Sequence, residues 1–130
     1  MITKVLRIFV SVLILALCIP TSVQAESVDD GFNPIVDGWV FGFGVQSDGK
    51  IVVVGSFTTL CGQPRSNIGR LNHDGTLDMS FNPGASRVDL SSGEINVVVI
   101  QPDDRIIVGG WFDTLGGGTR HYIGRLNADG

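Results

Sequence analysis

The 130-residue chain has few of the side chains on which catalytic and metal sites are commonly built. It contains two cysteines, two histidines and one tyrosine. Cys18 lies in an apolar N-terminal run, so Cys61 has no partner for an internal disulfide once that run is removed. A catalytic thiol needs a basic or histidine neighbour, and none adjoins Cys61. His73 and His121 lie far apart in the sequence. The sequence therefore predicts no enzyme, no metal site and no cofactor.

Positive charge is also scarce. The chain has 9 basic and 13 acidic residues, and two of the basic ones, Lys4 and Arg7, lie near the N-terminus. An acidic surface repels phosphate backbones and offers nothing to an anionic membrane surface. We therefore expect no nucleic-acid partner.

The N-terminus has the three-part pattern of a secretory signal peptide, which would form a helix and then be removed. Lys4 and Arg7 precede the apolar run Ile8–Ile19, and Ala25 offers a small residue for cleavage. The run is shorter than the roughly 20 residues that span a bilayer. A retained membrane anchor, or a lipid on Cys18, are the alternatives. The pattern predicts a protein that is secreted, periplasmic or at the cell surface, with no membrane attachment after cleavage.

The most informative feature is an internal repeat. Residues Val45–Gly75 and Ile100–Gly130 align without a gap at an offset of 55, and 17 of the 31 paired residues are identical. Val- and Ile-rich runs at Lys50–Phe57 and Arg105–Phe112, each bounded by turn residues, predict strands. A period near 50 residues built from short strands is typical of repeated small sheets.

These strands are apolar on both faces, as expected when each sheet lies between two others. The pattern predicts an all-β fold of two four-stranded antiparallel blades, part of a β-propeller of typically about 4–8 blades. We divide the chain into a signal peptide (1–25), a lead-in (26–38), a first blade (39–84) and a second blade without its last strand (85–130). Two blades cannot close a ring. The chain is then a fragment of a larger propeller, or several copies assemble into a ring; a stable two-blade monomer is the least expected.

Several motifs resemble those of the delta-60 repeat, a bacterial β-propeller repeat found mainly in exported proteins and without a defined activity. They are Asp48-Gly49-Lys50-Ile51, Gly55-Ser56-Phe57-Thr58-Thr59, Ile68-Gly69-Arg70-Leu71-Asn72 and Phe81-Asn82-Pro83-Gly84. The resemblance implies a structural or protein-interaction module without catalytic activity, whose partners are further propeller repeats, other protein surfaces or other copies of itself.

Residues that recur in both repeats are expected to be structural, so Arg65 and Arg120 are expected to hold loop carbonyls or a neighbouring blade. Unrepeated residues are better candidates for recognition, and Trp111, His121 and Tyr122 are the candidate ligand-binding residues of an alternative function. That alternative is a propeller that binds a carbohydrate or a cell-surface component. For Trp39 and Trp111, packing in the core or between blades is the competing interpretation.

Two turns carry specific expectations. The run Asn72–Asp78 offers oxygen ligands around a glycine, which is compatible with calcium, but a type I′-like hairpin turn also explains it. Asp104 stands where the first repeat has Gly49, so a residue with a side chain is expected at positive φ, where it is strained.

Overall fold

The computed structural model describes residues 31–89 and 93–130. Its regular structure in these ranges is β-strand, and no helix there is long and apolar enough to cross a membrane. The predicted signal-peptide helix lies outside the described residues. The strands are β1 (Trp39–Val45), β2 (Ile51–Ser56), β3 (Thr59–Leu60), β4 (Gln63–Pro64), β5 (Ile68–Leu71), β6 (Ala85–Ser86), β7 (Glu94–Ile100), β8 (Ile106–Trp111), β9 (Thr114–Leu115), β10 (Gly118–Thr119) and β11 (Ile123–Leu126).

Each repeat forms one antiparallel sheet. The first sheet has the order β1-β2-β5, and the second has the equivalent order β7-β8-β11. Their registers correspond at the repeat offset, since Val54 pairs with Ile68 and Gly109 with Ile123. The all-β prediction of repeated antiparallel sheets is therefore confirmed.

The fourth strand expected in the first repeat is reduced to one bridge between Leu71 and Leu77. The chain turns just after it, because Asp78 Oδ1 accepts hydrogen bonds from both the backbone N–H and the hydroxyl of Ser80. This local turn replaces the strand ladder that a longer fourth strand would form.

Two small hairpins, β3–β4 and β9–β10, project from the sheets, and the second also pairs with β6. Both central residues of each tight turn have positive φ, as a type I′ turn requires. These residues are Cys61 (51°) and Gly62 (73°) in one hairpin, and Gly116 (58°) and Gly117 (76°) in the other. The glycine-rich run Gly116-Gly117-Gly118 thus lies in a hairpin.

The turns after β5 and between β7 and β8 are of another kind. The backbone N–H of Gly75 donates to Asn72 O at 3.0 Å, and of the turn residues only Gly75 has positive φ. The expectation of a type I′-like turn here is therefore wrong, because His73 and Asp74 do not have the positive φ that it needs. The same turn recurs before β8, where Asp104 occupies the positive-φ position at 62°, as expected.

We call the side of the first sheet that packs on the second sheet its front face, and the equivalent side of the second sheet, which points away from the first, is the front face of the second. The opposite side of each sheet is its rear face. The front face of the first sheet packs on the rear face of the second, and the two share one apolar core. Strand β7 lies against β1 and β2. The shared core contains Val52, Val54, Ile68, Phe81, Ala85, Ile95, Ile106, Val108, Phe112, Leu115 and Leu126. A smaller cluster of Val53, Phe57, Leu60 and Leu71 lies on the rear side of the first sheet.

Candidate functional site

A polar lock joins the two sheets at one edge of their shared core. Gln46, which follows β1, donates from Nε2 to the backbone carbonyls of Asp104 and Ala128 at 3.0 Å each. Arg70 of β5 donates from Nη1 to the same Ala128 carbonyl at 2.6 Å and to Gln46 Oε1 at 3.0 Å. The front face of the first sheet therefore donates hydrogen bonds to the backbone carbonyls of two turns of the second sheet. This contact does not depend on the side chains of those turns.

Arg70 is held in place by partners within its own repeat. It is 5% exposed, and its Nε donates to Asp78 Oδ2 at 2.9 Å. Burial raises the pKa of Asp78, but hydrogen bonds from Ser80 and Lys50 and the nearby Arg70 charge together lower it below its usual value. The Arg70 guanidinium also lies 4.4 Å from the centre of the Phe81 ring. A buried arginine with all these partners orients the contact between the sheets.

A second contact crosses the interface beside this lock. The backbone N–H of Ser47 donates to Asp104 Oδ1 at 2.7 Å, and the Ser47 hydroxyl donates to the other carboxylate oxygen. These two hydrogen bonds lower the pKa of Asp104, the hydroxyl bond contributing most. The strained conformation of Asp104 is thus offset by a contact that glycine could not make.

The outer faces of the pair leave apolar side chains in solvent. On the front face of the second sheet, Val97 and Val99 are each about half exposed and Ile123 is 66% exposed. On the rear face of the first sheet, Phe43 is 70% and Val45 55% exposed. Apolar groups placed in rows on the two outer faces of a stacked pair are typical of surfaces that another partner covers.

The three unrepeated candidate residues lie together at the edge of the second sheet, in what we call the aromatic patch. The rings of Trp111 and Tyr122 are 5.5 Å apart between centroids, and those of His121 and Tyr122 are 6.3 Å apart. Arg87 lies 4.7 Å from the centre of the Trp111 ring, and His121 Nδ1 lies 3.3 Å from Asp113 Oδ1. An exposed tryptophan and tyrosine flanked by an arginine and a histidine can stack on and hydrogen-bond a polar ligand.

The positions of the aromatic patch have another use in the first repeat. Asn67, the counterpart of Tyr122, also has positive φ (65° against 67°), and its Nδ2 donates to Ala85 O at 2.8 Å. Asn67, Ser56 and Ser66 line a cavity of about 270 Å³ between the sheets. The position that Asn67 uses in the first repeat for a polar contact with Ala85 is occupied in the second repeat by the exposed Tyr122 of the aromatic patch.

Sequence patterns did not single out Arg87, the cation of the patch. It lies in the connection between the two aligned repeats, Val45–Gly75 and Ile100–Gly130. A hydrogen bond to Asp89 is the largest of the interactions that raise the pKa of its guanidinium. Because Arg87 lies outside the aligned positions, the comparison between repeats that marked Trp111 does not reach it.

Other candidate residues have structural surroundings. Arg65 and Arg120 each donate from Nη1 to the carbonyl of the preceding residue at 2.7 Å, so both hold their own loops, as expected. Trp39 and Trp111 are 75% and 52% exposed, so neither packs in the core or between the two sheets. Asp74 Oδ1 accepts hydrogen bonds from the N–H and hydroxyl of Thr76, which accounts for this acid within the turn.

The paired sheets, their equivalent registers and the shared core match a known architecture. A family model described as a β-propeller domain of unknown function (DUF5122) matches residues 46–81 and 101–130, which together are just over half of the chain. The chain belongs to this β-propeller family. The two matched segments are the two repeats, so each sheet is one unit of the family. The comparisons with curated proteins and with solved structures found no match.

Proposed function

We propose that this β-propeller protein is an exported structural or protein-interaction module without catalytic activity, which binds protein partners through its sheet faces. The observation that carries this proposal is the exposed apolar rows on both outer faces. Val97 and Val99 form an exposed apolar row on the front face of the second sheet. Phe43 and Val45 form the corresponding row on the rear face of the first sheet. Covering such rows removes apolar area from water, which favours association by about 25 cal/mol per Å².

A photo-crosslinking residue at Phe43 or at Val99, in the full chain and in the cells that export it, tests this function. We expect discrete crosslinked protein bands from both positions. Gln63 is the matched control, because it is exposed on the β3–β4 hairpin and belongs to neither apolar row. Crosslinks from Phe43 and Val99 that are no stronger than those from Gln63 would refute the proposal.

Export is a separate part of the proposal, supported by the N-terminal pattern. We expect the protein outside the cytoplasm to begin at Glu26, directly after Ala25. N-terminal sequencing of the fractionated protein measures this directly. A chain that keeps its N-terminal residues, or one that begins at a lipid-modified Cys18, would contradict it.

A second candidate function is the binding of a carbohydrate or a cell-surface component at the aromatic patch. The observation that favours it is the convergence of Trp111, Tyr122 and His121 beside Arg87. Binding to a panel of polysaccharides should be lost in Trp111→Ala and kept in Trp39→Ala, because Trp39 is also exposed and lies outside the patch. Equal binding by both variants would exclude the patch as the site.

A further inference from the structure

We infer that the front face of the second sheet binds the rear face of the first sheet of another copy, head to tail. Gln101 and Arg125 would then close the polar lock that Gln46 and Arg70 close within one chain. This inference rests on the proposed function and names its partner as a second copy of this chain.

The second sheet carries the same pair of locking side chains. Gln101 and Arg125 stand 55 residues after Gln46 and Arg70, at the equivalent places after β7 and in β11. In the first sheet, the glutamine Oε1 accepts from the arginine. In the second sheet, Gln101 Oε1 is buried without a hydrogen-bond partner, and Arg125 is exposed. A buried carbonyl oxygen without a hydrogen-bond partner is destabilising, so this glutamine and arginine form an open lock, in which the hydrogen bonds of the first sheet are not made.

The acceptors of the lock are present on the rear side of the first sheet. The internal lock uses the carbonyls of Asp104 and Ala128, whose counterparts at the repeat offset are Gly49 and His73. Since the acceptors are backbone groups, the change of side chain does not remove them. The residues that the structure describes donate no hydrogen bond to either of these two carbonyls.

The side chains beside the lock are matched as well. Within the chain, Ser47 faces the Asp104 carboxylate. In the head-to-tail contact Pro102 faces Gly49, so the serine donor and the carboxylate acceptor are both absent and neither is left unpaired. The rear turns also carry Asp48 and Asp74, both exposed, which complements the positive charge of Arg125.

In the contact between copies, the apolar rows would pair at the same repeat positions as the two sheets within one chain. Their side chains are larger there than in the contact within one chain. Within the chain, Gly42 and Gly44 lie against Val98 and Ile100. The corresponding contacts between copies are Val97 with Phe43 and Val99 with Val45. Val97 and Val99 have side chains where the first sheet has glycines, so two copies remain farther apart along this edge than the two sheets of one chain. The polar contact of Asn67 with Ala85 O has no counterpart, because Tyr122 replaces the asparagine.

Blocking one face at a time distinguishes a head-to-tail contact, front face to rear face, from a symmetric contact between two identical faces. Val97→Glu destroys only the front row and Phe43→Glu only the rear row, and both positions are exposed, so the fold is retained. In sedimentation velocity, the unmodified protein is expected to associate with rising concentration, each variant alone to remain monomeric, and the mixture of the two to form a 1:1 dimer. Circular dichroism checks that both variants are folded.

Self-association of either variant at the level of the unmodified protein, a mixture that stays monomeric, or an unmodified protein that is monomeric at all concentrations would each overturn the inference. Arg125→Ala should weaken association about tenfold through loss of a charged hydrogen bond. Arg120→Ala is the matched control and should leave association unchanged, since within residues 31–89 and 93–130 the Arg120 side chain donates to its own loop carbonyl. Crosslinks to other proteins without self-association would preserve the proposed function and refute this inference alone.

Discussion

The buried arginine of the first sheet and its exposed counterpart in the second provide a matched pair of substitutions. Arg70→Met keeps the apolar stem of the side chain but removes the guanidinium that bonds Asp78, Gln46 and the Ala128 carbonyl. Lys50 Nζ stays 3.1 Å from Asp78 and retains part of the charge compensation. Breaking a buried ion pair on one side costs about 3–5 kcal/mol, and with Lys50 remaining we expect about 3 kcal/mol.

Arg125→Met is the control, because Arg125 occupies the same place in the repeat and is exposed. At protein concentrations too low for association, its expected change in unfolding free energy is within about 0.5 kcal/mol. Urea unfolding at several protein concentrations measures both variants, with equal slopes required for the comparison. Equal destabilisation by the two substitutions would refute the reasoning, because it would mean that the contact between the sheets gives Arg70 no special role.

Three further perturbations follow from the structure. Gly55→Ala should destabilise the protein by more than about 3 kcal/mol in urea unfolding, because the added Cβ would lie 1.9 Å from the carbonyl oxygen of Trp39, whereas Gly118→Ala, with only ordinary contacts near 3.7 Å, should be nearly neutral. Hydrogen bonds, first from the Thr58 hydroxyl, lower the pKa of Asp37 from 3.8 to about 2. Its stabilisation is therefore present above about pH 4 and lost as the pH falls toward 2, and Asp37→Asn should flatten the acid limb of the stability profile. Asp104→Asn should be tolerated, because asparagine adopts positive φ and its side-chain oxygen still accepts from the Ser47 N–H. Asp104→Ala should lower the melting temperature in thermal unfolding, because alanine loses both hydrogen bonds to Ser47 and is strained at positive φ.

The sequence predicts the main strands well because their signals are local. The Val- and Ile-rich runs of β2 and β8 lie between recognisable turns, and the observed bounds agree to within one residue. The sequence predicts too long a fourth strand in the first repeat, because Asp78 Oδ1 accepts from the Ser80 N–H in a local turn that ends the ladder. The sequence predicts the wrong type for the turn at Asn72, because composition alone does not say which of its residues takes positive φ.

The candidate site was partly predictable for a different reason. Comparing two repeats in one chain separates residues that every unit needs from those that only one unit has, and this selected Trp111, His121 and Tyr122, which lie together. Arg87 escaped because it has no counterpart in the first repeat to compare with. The sequence alone does not reveal the open lock, because Gln101 is identical to Gln46, whose side-chain oxygen is hydrogen-bonded in the first repeat. Only the structure shows that the Gln101 oxygen has no partner among the described residues.

The central claim is that the two repeats stack with the front of the first sheet against the rear of the second. A designed disulfide measures this most directly. In a Cys61→Ser background, Gly42→Cys with Val98→Cys should crosslink on mild oxidation, because a Cβ at Gly42 lies 3.7 Å from Val98 Cγ1. The neighbouring pair Gly42→Cys with Val97→Cys should not, since Val97 points to the opposite face of its sheet. Peptide mapping of the oxidised monomer distinguishes the two outcomes. A disulfide in the first pair supports the account, and one that forms only in the second would contradict it.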